Sequence, residues 1–522
     1  MIRQLVGAGV LSVFVGAFAQ GAAVDAAFER FWAAESPEAA AALVDEVIKT
    51  GVTFDDAHRR LKHGRPYPKR ETGRVSLSNR TSDGVQHFFT VNIPTSYDPS
   101  QKYQVRFQLH GGVGGRQTNV PPAGAGGIGA LEAPEDAPQI YIVPFAWNRM
   151  PWWSTDQVLN LRAILDTAKR LYNIDENRVV VSGVSDGGTG AYYIAMRETT
   201  EYASFLPLNG FWPVLTNEDI QQGAELYPNN LRNKPWFVVN GGRDPLYPSA
   251  RVDPYIEHFR KGGVTVDYRP QPEAGHNTRW WPTLRDGFET FVRTHPRNPL
   301  PDTVTWETAD PNAFNRAHWL VIDGVRADAA GRPSLPDLND MIDPPAPDFG
   351  VRSVGSRINR VVPGSNADRL GVKAGDALVR LNDQPVRVTV GLDDAFEEIE
   401  PGSTITLLVA RNNQPVELAG RYEPQMITRP PRQVFARRVP SGRVDVTRTG
   451  NTVRAATRGV ERFTLLVSPD QFDFSKPVTV IADGRTVFDA KVKKDVRTLL
   501  EYAARDNDRT MLFGAAIRVT VR

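Results

Sequence analysis

Residues 178–188 read RVVVSGVSDGG, and a run of helical spacing continues over residues 189–197. The three valines favour a buried strand, and the glycines allow a sharp turn from that strand into the helix. Ser185 lies at the apex of this turn, where the geometry exposes a nucleophilic hydroxyl. The next residue, Asp186, begins the helix, so its backbone N–H is an expected donor to a developing oxyanion. The stretch predicts an α/β sheet that carries a reactive serine.

A second glycine-rich loop lies earlier in the chain. Residues 105–109 form a predicted strand that runs into HGGVGG, residues 110–115. Glycines allow backbone N–H groups to approach a substrate oxygen closely, so Gly112 or Val113 is expected to supply the second oxyanion donor. An ordinary surface turn or a phosphate-binding loop is the alternative, although the Lys-Ser/Thr ending of a P-loop is missing.

An acid and a base follow the serine in the order Ser, Asp, His that this class of motif requires. Asp244 comes directly after a predicted strand at 236–240, and His276 follows a strand-like run at 264–270. We expect His276 to take the proton of Ser185, and Asp244 to orient the imidazole. The alternative acids, which are less well placed, are Asp253, Glu257 and Glu273.

The sequence around these motifs alternates apolar runs of strand length with helical patterns. This alternation extends from about residue 83 to residue 296 and is typical of a mostly parallel sheet with helices on both faces. We therefore predict an α/β fold with a doubly wound sheet, and we place this domain at 81–298. The predicted strands are 88–93, 105–109, 140–143, 178–182, 205–208, 236–240 and 264–270.

Residues 83–296 resemble an α/β-hydrolase domain of the esterase and prolyl-oligopeptidase-like type. The resemblance is based on the turn at Ser185, the loop after His110, the position of Asp244 and the triplet that ends in His276. It implies acyl transfer through a covalent acyl-serine, without a cofactor. Prolyl-oligopeptidase-type enzymes usually carry a β-propeller, and the short segment before this domain leaves no room for one.

Several tryptophans follow the predicted catalytic strands. Such clustering suggests an aromatic pocket for the acyl or leaving group of a substrate. The alternative is that these side chains belong to the core. The candidate pocket residues are Trp152, Trp153, Trp212 and Trp280.

Two proline-rich stretches, 333–347 and 424–431, bracket a separate module. Within it, residues 362–376 read VPGSNADRLGVKAGD and closely resemble a bacterial PDZ domain, which we place at 347–423. The resemblance implies binding of a protein C-terminus by strand addition. The residues that would hold the terminal carboxylate and form the edge strand are Phe349, Gly350 and Val351. The alternative is a PDZ domain that packs on its neighbours and binds nothing.

The segments on either side of this module, 302–330 and 433–522, are rich in short alternating runs. Turn signals at 450–451 and 483–484 support hairpins there. We predict a β-sandwich-like fold here, either as one discontinuous sandwich with the module inserted into it or as two domains with the module between them. Residues 505–509 are predicted to form a solvated turn rather than a metal-binding loop.

The N-terminus predicts export. Arg3 precedes an apolar run at 5–18, and residues 17–19 form a small-residue cleavage site, so we assign residues 1–19 to a signal peptide. A membrane anchor is the alternative, but the run is shorter than the ~20 apolar residues that span a bilayer. Residues 20–80 are predicted to be a helical segment of the mature chain, which would be periplasmic or secreted with no stable membrane anchor.

Composition narrows the classes of function. At roughly 100–200 residues per domain, the 522 residues of the chain correspond to three or four domains. A net charge of +2 leaves no basic stripe for nucleic acid, and the absence of cysteine excludes thiolate chemistry. The eight histidines lack metal-like spacing, so we expect no metal and no cofactor.

These patterns together predict an exported serine hydrolase that cleaves a small carboxylic ester through Ser185, His276 and Asp244. One alternative is a serine peptidase to which the PDZ domain presents a peptide substrate. A second alternative is a PDZ-centred peptide-binding protein in which the hydrolase domain is only structural.

Overall fold

The computed structural model describes residues 7–81, 84–117, 139–217, 225–342, 346–386, 396, 399–428 and 430–521; for residues 7–19 and 346 it describes the backbone alone. The chain forms two compact units. The first combines Met1–Asn339 with Val434–Arg522, and the second is Asp340–Gln433.

The chain begins with a small group of helices: α1 Gly7–Ala33, α2 Pro37–Ala42, α3 Val44–Lys49 and α4 Phe54–His63. Ser36 and Thr53 cap α2 and α4, each accepting a backbone N–H at 3.2 Å. None of the described helices is long and apolar enough to cross a membrane.

An eight-stranded sheet follows in the order β1-β2-β4-β3-β5-β6-β7-β8. Its strands are β1 Gly73–Arg80, β2 Gln86–Ile93, β3 Tyr103–Leu109, β4 Gln139–Pro144, β5 Ile174–Val184, β6 Ser204–Leu208, β7 Trp236–Val238 and β8 Val266–Tyr268. Strand β2 is antiparallel to β1 and β4, and all pairings from β4 to β8 are parallel. This topology is the α/β-hydrolase fold and confirms the predicted fold class.

Helices cover both faces of this sheet. They are α5 Thr155–Leu171, α6 Asp186–Arg197, α7 Ser249–Lys261 and α8 Trp281–Thr294. Successive residues of a strand point to opposite faces. On β7, Trp236 stacks on Tyr192 of α6 at 5.0 Å, whereas its neighbour Phe237 packs edge-on against Phe288 of α8 at 5.5 Å. The sheet is therefore doubly wound, as predicted.

The sheet begins earlier in the chain than predicted. Strand β1 lies inside the segment 20–80, which the sequence analysis assigned to helix, and ahead of the boundary placed at 81. Its residues alternate between half-buried and exposed, and only Val75 and Leu77 are apolar. An edge strand with one partner needs no continuous apolar run, so its sequence gives little signal.

The segments before and after the PDZ module build two sheets that share one hydrophobic core, which includes Trp306, Trp319 and Phe463. The first sheet has the order β10-β11-β24-β27, and the second has the order β26-β25-β23-β22-β9. Their strands are β9 Thr303–Thr308, β10 Arg316–Ala317, β11 Leu320–Val325, β22 Gly442–Thr449, β23 Thr452–Arg458, β24 Val460–Val467, β25 Pro477–Ala482, β26 Arg485–Lys491 and β27 Ala515–Thr520.

The module itself forms a sheet in the order β14-β15-β16-β18-β19, with β17 paired to β16 and two short ladders, β12 with β21 and β13 with β20. Its elements are β12 Asp340–Met341, β13 Ala346–Asp348, β14 Val351–Val354, β15 Arg357–Val361, α9 Asn366–Arg369, β16 Ala377–Leu381, β17 Gln384–Pro385, β18 Thr404–Arg411, β19 Gln414–Arg421, β20 Gln425–Ile427 and β21 Arg432–Gln433.

A last helix, α10 Val496–Asp506, packs its leucines against α1 to α4. The residues that follow it overturn the predicted solvated turn. Asp506 pairs with Arg316 at 2.7 Å and Asp508 pairs with Arg297 at 2.6 Å, and both carboxylates are buried. The prediction was wrong because both aspartates form ion pairs with arginines that are distant in the sequence. These ion pairs connect the C-terminal segment to the rest of the first unit.

Candidate active site

Ser185 occupies a strained backbone conformation at the junction of β5 and α6. Its φ of 56° and ψ of −118° lie in a region that non-glycine residues rarely adopt. The Ser185 backbone N–H donates to the Leu208 carbonyl at 2.8 Å. A Cβ atom at Gly183 would overlap the Gly187 backbone, and one at Gly187 would overlap the Leu109 backbone. The two glycines therefore permit the tight turn, as the sequence motif predicts.

A hydrogen-bond chain joins the three predicted triad residues. His276 Nε2 lies 2.8 Å from Ser185 Oγ, and His276 Nδ1 lies 2.7 Å from Asp244 Oδ2. Asp244 is 2% exposed, and its Oδ1 accepts the backbone N–H groups of Leu246 at 2.8 Å and Tyr247 at 3.0 Å. Because a carboxylate only accepts, Nδ1 of His276 carries the proton and Nε2 accepts from the serine hydroxyl.

The alternative acids are not bonded to this histidine. Glu273, three residues before His276, pairs instead with Arg243 on the surface at 2.5 Å, and both side chains are more than two-thirds exposed. Glu257 pairs with Lys261 on α7 at 3.4 Å. The hydrogen bonds of the described residues therefore single out Asp244 as the partner of His276.

The loop after β3 lies directly against the nucleophile: a Cβ atom at Gly111 would stand 3.0 Å from Ser185 Cβ. The Val113 N–H donates to Asp186 Oδ2 at 2.9 Å, so this amide is already engaged. Among the described residues nothing accepts the N–H of Gly112, whose φ is +69°. Of the two donors left open by the sequence, Gly112 is therefore the available one, together with the Asp186 N–H at the start of α6.

His110 positions this loop rather than reacting. Its Nδ1 donates to the Gly111 carbonyl at 2.9 Å, and its Nε2 accepts the Ala146 N–H at 3.1 Å. Burial lowers the pKa of His110, so the ring is neutral at physiological pH. Within the described ranges, no three His, Asp or Glu side chains stand together as metal ligands would.

Most of the predicted pocket tryptophans are core residues. Trp152 is fully buried, and its indole N–H donates to the His110 carbonyl at 2.8 Å. Trp212 is 2% exposed and packs on Phe259 at 4.9 Å. Trp280 is also buried, although its edge borders a cavity of about 440 Å³ beside the His276 loop. Only Trp153 is half-buried. Trp152 and Trp212 are therefore core residues, the alternative given for them in the sequence analysis: the Trp152 ring packs on His110, and the Trp212 ring packs on Phe259 and Phe435.

Sequence reasoning missed two aromatic side chains at the site. Tyr247 meets the His276 ring edge-on, with centroids 5.7 Å apart, and Phe211 stacks on Tyr247 at 5.6 Å. Both are half-buried. Burial raises the pKa of Tyr247, so its hydroxyl is protonated at neutral pH. Its place in the motif Asp244-Pro-Leu-Tyr, directly after the acid, was the available signal.

The predicted peptide site of the module has a more closed loop than expected. Gly350 has a φ of +91°, and a Cβ atom there would overlap the Ser365 side chain. Its N–H donates to Asp348 Oδ1 at 2.8 Å, so that amide is engaged, contrary to the prediction. The Phe349 ring is buried against Phe396 at 4.3 Å. Strand β14, which begins at Val351, is an edge strand, paired on one side only in the described part of the module.

Comparison with known families identifies this module. Residues 357–411 match the PDZ domain family. A curated relative is the periplasmic pH-dependent serine endoprotease DegQ of Escherichia coli K12, 36% identical over 64 residues. That match covers 12% of this chain and 14% of the length of DegQ. The module is therefore a PDZ domain, as predicted from its sequence.

Several solved structures are similar to part of this chain and cover less than half of it. A thermostable esterase is 20% identical over 43% of this chain and 63% of its own, with a TM-score of 0.35. Esterase 2 of Thermogutta terrifontis is 16% identical over 44% of this chain and 97% of its own, with a TM-score of 0.35. The S-formylglutathione hydrolase FrmB of Staphylococcus aureus is 15% identical over 43% of this chain and 99% of its own, with a TM-score of 0.35.

Proposed function

We propose that this chain is a serine hydrolase that cleaves a carboxylic ester through an acyl-enzyme on Ser185. The observation that carries the proposal is the continuous hydrogen-bond chain from Asp244 through His276 to Ser185, with separations of 2.7 and 2.8 Å. A nucleophile, a base within reach of it and a group that orients the base are the three parts that nucleophilic catalysis requires.

The proposed reaction first acylates Ser185 and then hydrolyses the acyl-enzyme. Ser185 Oγ attacks the ester carbonyl carbon while His276 Nε2 takes the hydroxyl proton, and Asp244 stabilises the imidazolium that forms. The N–H groups of Asp186 and Gly112 stabilise the tetrahedral oxyanion; one such donor is worth about 3–4 kcal/mol of barrier. His276 then protonates the departing alcohol. Water, deprotonated by the same histidine, releases the acid and regenerates Ser185.

Covalent labelling tests this proposal. We expect a fluorophosphonate probe to add one label to the purified protein, mapped to Ser185 by peptide mass spectrometry, and to add none to Ser185→Ala. Ser475→Ala, which removes an exposed serine of the C-terminal segment, should label like the wild type. A folded wild-type protein that takes up no label would contradict the proposal and favour the reading in which the PDZ domain carries the function.

A second candidate function is favoured by the PDZ match. We propose that β14 binds an extended peptide with a free C-terminus by strand addition, because this edge strand follows the loop that contains Phe349 and Gly350. The peptide is either a partner or a substrate presented to Ser185. The affinity of the full chain for peptides with free and with amidated C-termini tests this proposal. Tighter binding of the free C-terminus indicates recognition of the carboxylate, and equal binding indicates strand pairing alone. Cleavage of the bound peptide by wild type but not by Ser185→Ala would identify a peptidase.

Export is the remaining part of the proposal. It is supported by Arg3, the apolar run and the small residues that end at 19. Mass measurement of the mature N-terminus after expression in a bacterium with a periplasm tests it. A chain that begins near Gln20 in the periplasmic fraction is the expected result, and an intact cytoplasmic chain would contradict it.

A further inference from the structure

A series of aromatic rings runs from the core of the hydrolase domain to the candidate active site. Trp212 is 2% exposed and meets Tyr255 with ring centroids 5.5 Å apart. The ring centroids of Tyr255 and Phe211 are also 5.5 Å apart. Phe211 stacks on Tyr247 at 5.6 Å with an interplanar angle of 30°, and Tyr247 meets His276 at 5.7 Å and 73°. The series is buried at one end and half-exposed where it reaches the histidine.

The end of this series that lies at the histidine is partly open to solvent. Phe211 and Tyr247 are half-buried, and Leu246, next to Tyr247 in the sequence, is 54% exposed. Aromatic side chains are common in the lining of ligand sites. Tyr247 is thus a partly exposed ring in contact with the imidazole that is bonded to Ser185, and Phe211 stacks on it.

The surface is also held in place. The Tyr247 N–H donates to Asp244 Oδ1 at 3.0 Å, so the same carboxylate that orients His276 fixes the backbone of the tyrosine. Phe211 is fixed through its N–H, which donates to Thr189 Oγ1 at 3.2 Å. The backbone of both residues is fixed by these bonds, and the rings restrain each other by stacking, so less conformational entropy is lost when a ligand binds.

We propose that Tyr247 and Phe211 form the specificity wall of the candidate active site and select neutral esters that carry a planar aromatic group. The proposal rests on the ester hydrolysis proposed above. A planar ring can stack on Tyr247 in the same way that Phe211 does, whereas a saturated ring of similar size cannot. The Asp244 carboxylate accepts the Tyr247 N–H at 3.0 Å, and the charges of Asp186 and Asp244 both act on Tyr247, so like-charge repulsion disfavours an anionic substrate group.

Size-matched ester pairs test the inference by kcat/KM. Methyl benzoate against methyl cyclohexanecarboxylate places the ring on the acid, and benzyl acetate against cyclohexylmethyl acetate places it on the alcohol. We expect the wild type to prefer the aromatic member of at least one pair by tenfold or more. Tyr247→Ala should remove that preference, because it should lower kcat/KM for the aromatic ester at least tenfold more than kcat/KM for its saturated partner. Tyr247→Phe, which keeps the ring, should retain the preference.

Phe488→Ala is the matched control, because it removes a half-buried ring from the C-terminal segment. It should keep both the preference and the rate. Equal rates within both pairs for the wild type, or a preference that survives Tyr247→Ala, would overturn the inference while leaving ester hydrolysis in place.

If no ester is turned over, methyl acetate included, the proposed function fails, and binding decides the inference separately. In an NMR titration of the wild type, the aromatic member of at least one pair should then bind at least tenfold more tightly than its saturated partner. Tyr247→Ala should lose that difference. Equal binding within both pairs by the wild type would overturn the specificity wall as well.

Discussion

Ser185 is held in a backbone conformation that costs of order 1–3 kcal/mol for a non-glycine residue. Surrounding contacts maintain it: the bond from its N–H to Leu208, and the close approach of Gly183 and Gly187 to neighbouring backbone. The result is a hydroxyl presented to His276 at 2.8 Å without any reorganisation. The strain therefore lies at the candidate nucleophile, where preorganisation is useful.

Asp186 supports the loop that carries Gly112, the proposed second oxyanion donor, through its bond to the Val113 N–H at 2.9 Å. Asp186→Ala removes this bond, so the loop should loosen. We expect the rate of fluorophosphonate labelling to fall by tenfold to a hundredfold. Asp186→Asn keeps an acceptor at the same place and should label within a few-fold of the wild type. Equal rates for the alanine variant and the wild type would show that the bond does not position Gly112.

Lys234 should make stability depend on pH. Its Nζ is buried 3.1 Å from His318 Nε2, and burial lowers the pKa of Lys234 well below its ordinary 10.5. At a pH between the pKa of Lys234 in the folded protein and its pKa in the unfolded chain, the unfolded chain binds more protons. The free energy of unfolding therefore rises with pH, by up to about 1.4 kcal/mol per pH unit. We expect the free energy of unfolding in urea to increase between pH 7 and pH 10 and to increase less in Lys234→Met.

A surface lysine provides the comparison. Lys261 is 75% exposed, so Lys261→Met should keep the wild-type pH slope. A Lys234→Met protein with an unchanged slope would contradict the assignment. Burial also lowers the pKa of His318, but the ordinary pKa of this group, 6.5, lies below the range from pH 7 to pH 10. His318 therefore changes the free energy of unfolding only at lower pH.

The elements that sequence predicted are those with a local signature. Strand β5 contains the buried run of three valines at 179–181, and β3 places the buried apolar residues Val105, Phe107 and Leu109 at alternate positions. The hydrogen-bonded contact of Ser185, His276 and Asp244 could be predicted because the three residues follow strands in a fixed order. The sequence does not predict strand β1, the burial of Asp508 or the contact of Tyr247 with His276. Each of these features depends on a partner that is distant in the sequence.

The segment after α10 should be critical for stability. Arg297 and Asp508 are both fully buried and lie 2.6 Å apart. Burial alone would raise the pKa of Asp508, but the positive charges of Arg297 and Lys169 outweigh this effect and lower the pKa below its ordinary 3.8. Asp508→Ala leaves Arg297 with an uncompensated buried charge, and we expect a loss of about 3–5 kcal/mol in the free energy of unfolding.

This contribution has a defined pH window. A carboxylate with a lowered folded pKa stabilises the protein above its unfolded pKa of 3.8 and loses that effect as pH falls below it. Asp328→Ala, which breaks the exposed pair with Arg326, should change stability much less, because that pair is solvated. Equal losses in the two variants, measured by urea unfolding at pH 7, would contradict the role of the buried pair.

The whole chain is organised around an insertion. It leaves the first unit at Asn339 and returns at Val434, where the Val434 N–H donates to the Asn339 carbonyl at 2.8 Å. Strands from both sides of the insertion then pair directly, with Gly442 opposite Thr308. The first unit is therefore continuous in space although it is interrupted in sequence, and its hydrophobic core draws on both parts.

Removal of the PDZ module tests whether this unit is autonomous. Because Asn339 and Val434 are hydrogen-bonded neighbours, a short glycine linker can replace residues 340–433 without stretching the chain. The Asn339 side chain, bonded to both backbone groups of Phe435 at 2.9 Å, fixes the joint from within the retained unit. We expect the shortened protein to fold cooperatively, to label at Ser185 at the wild-type rate and to hydrolyse a small ester within threefold of the full chain, while losing C-terminal peptide binding. A folded, shortened protein that no longer turns over the small ester would instead make the PDZ module part of the active site.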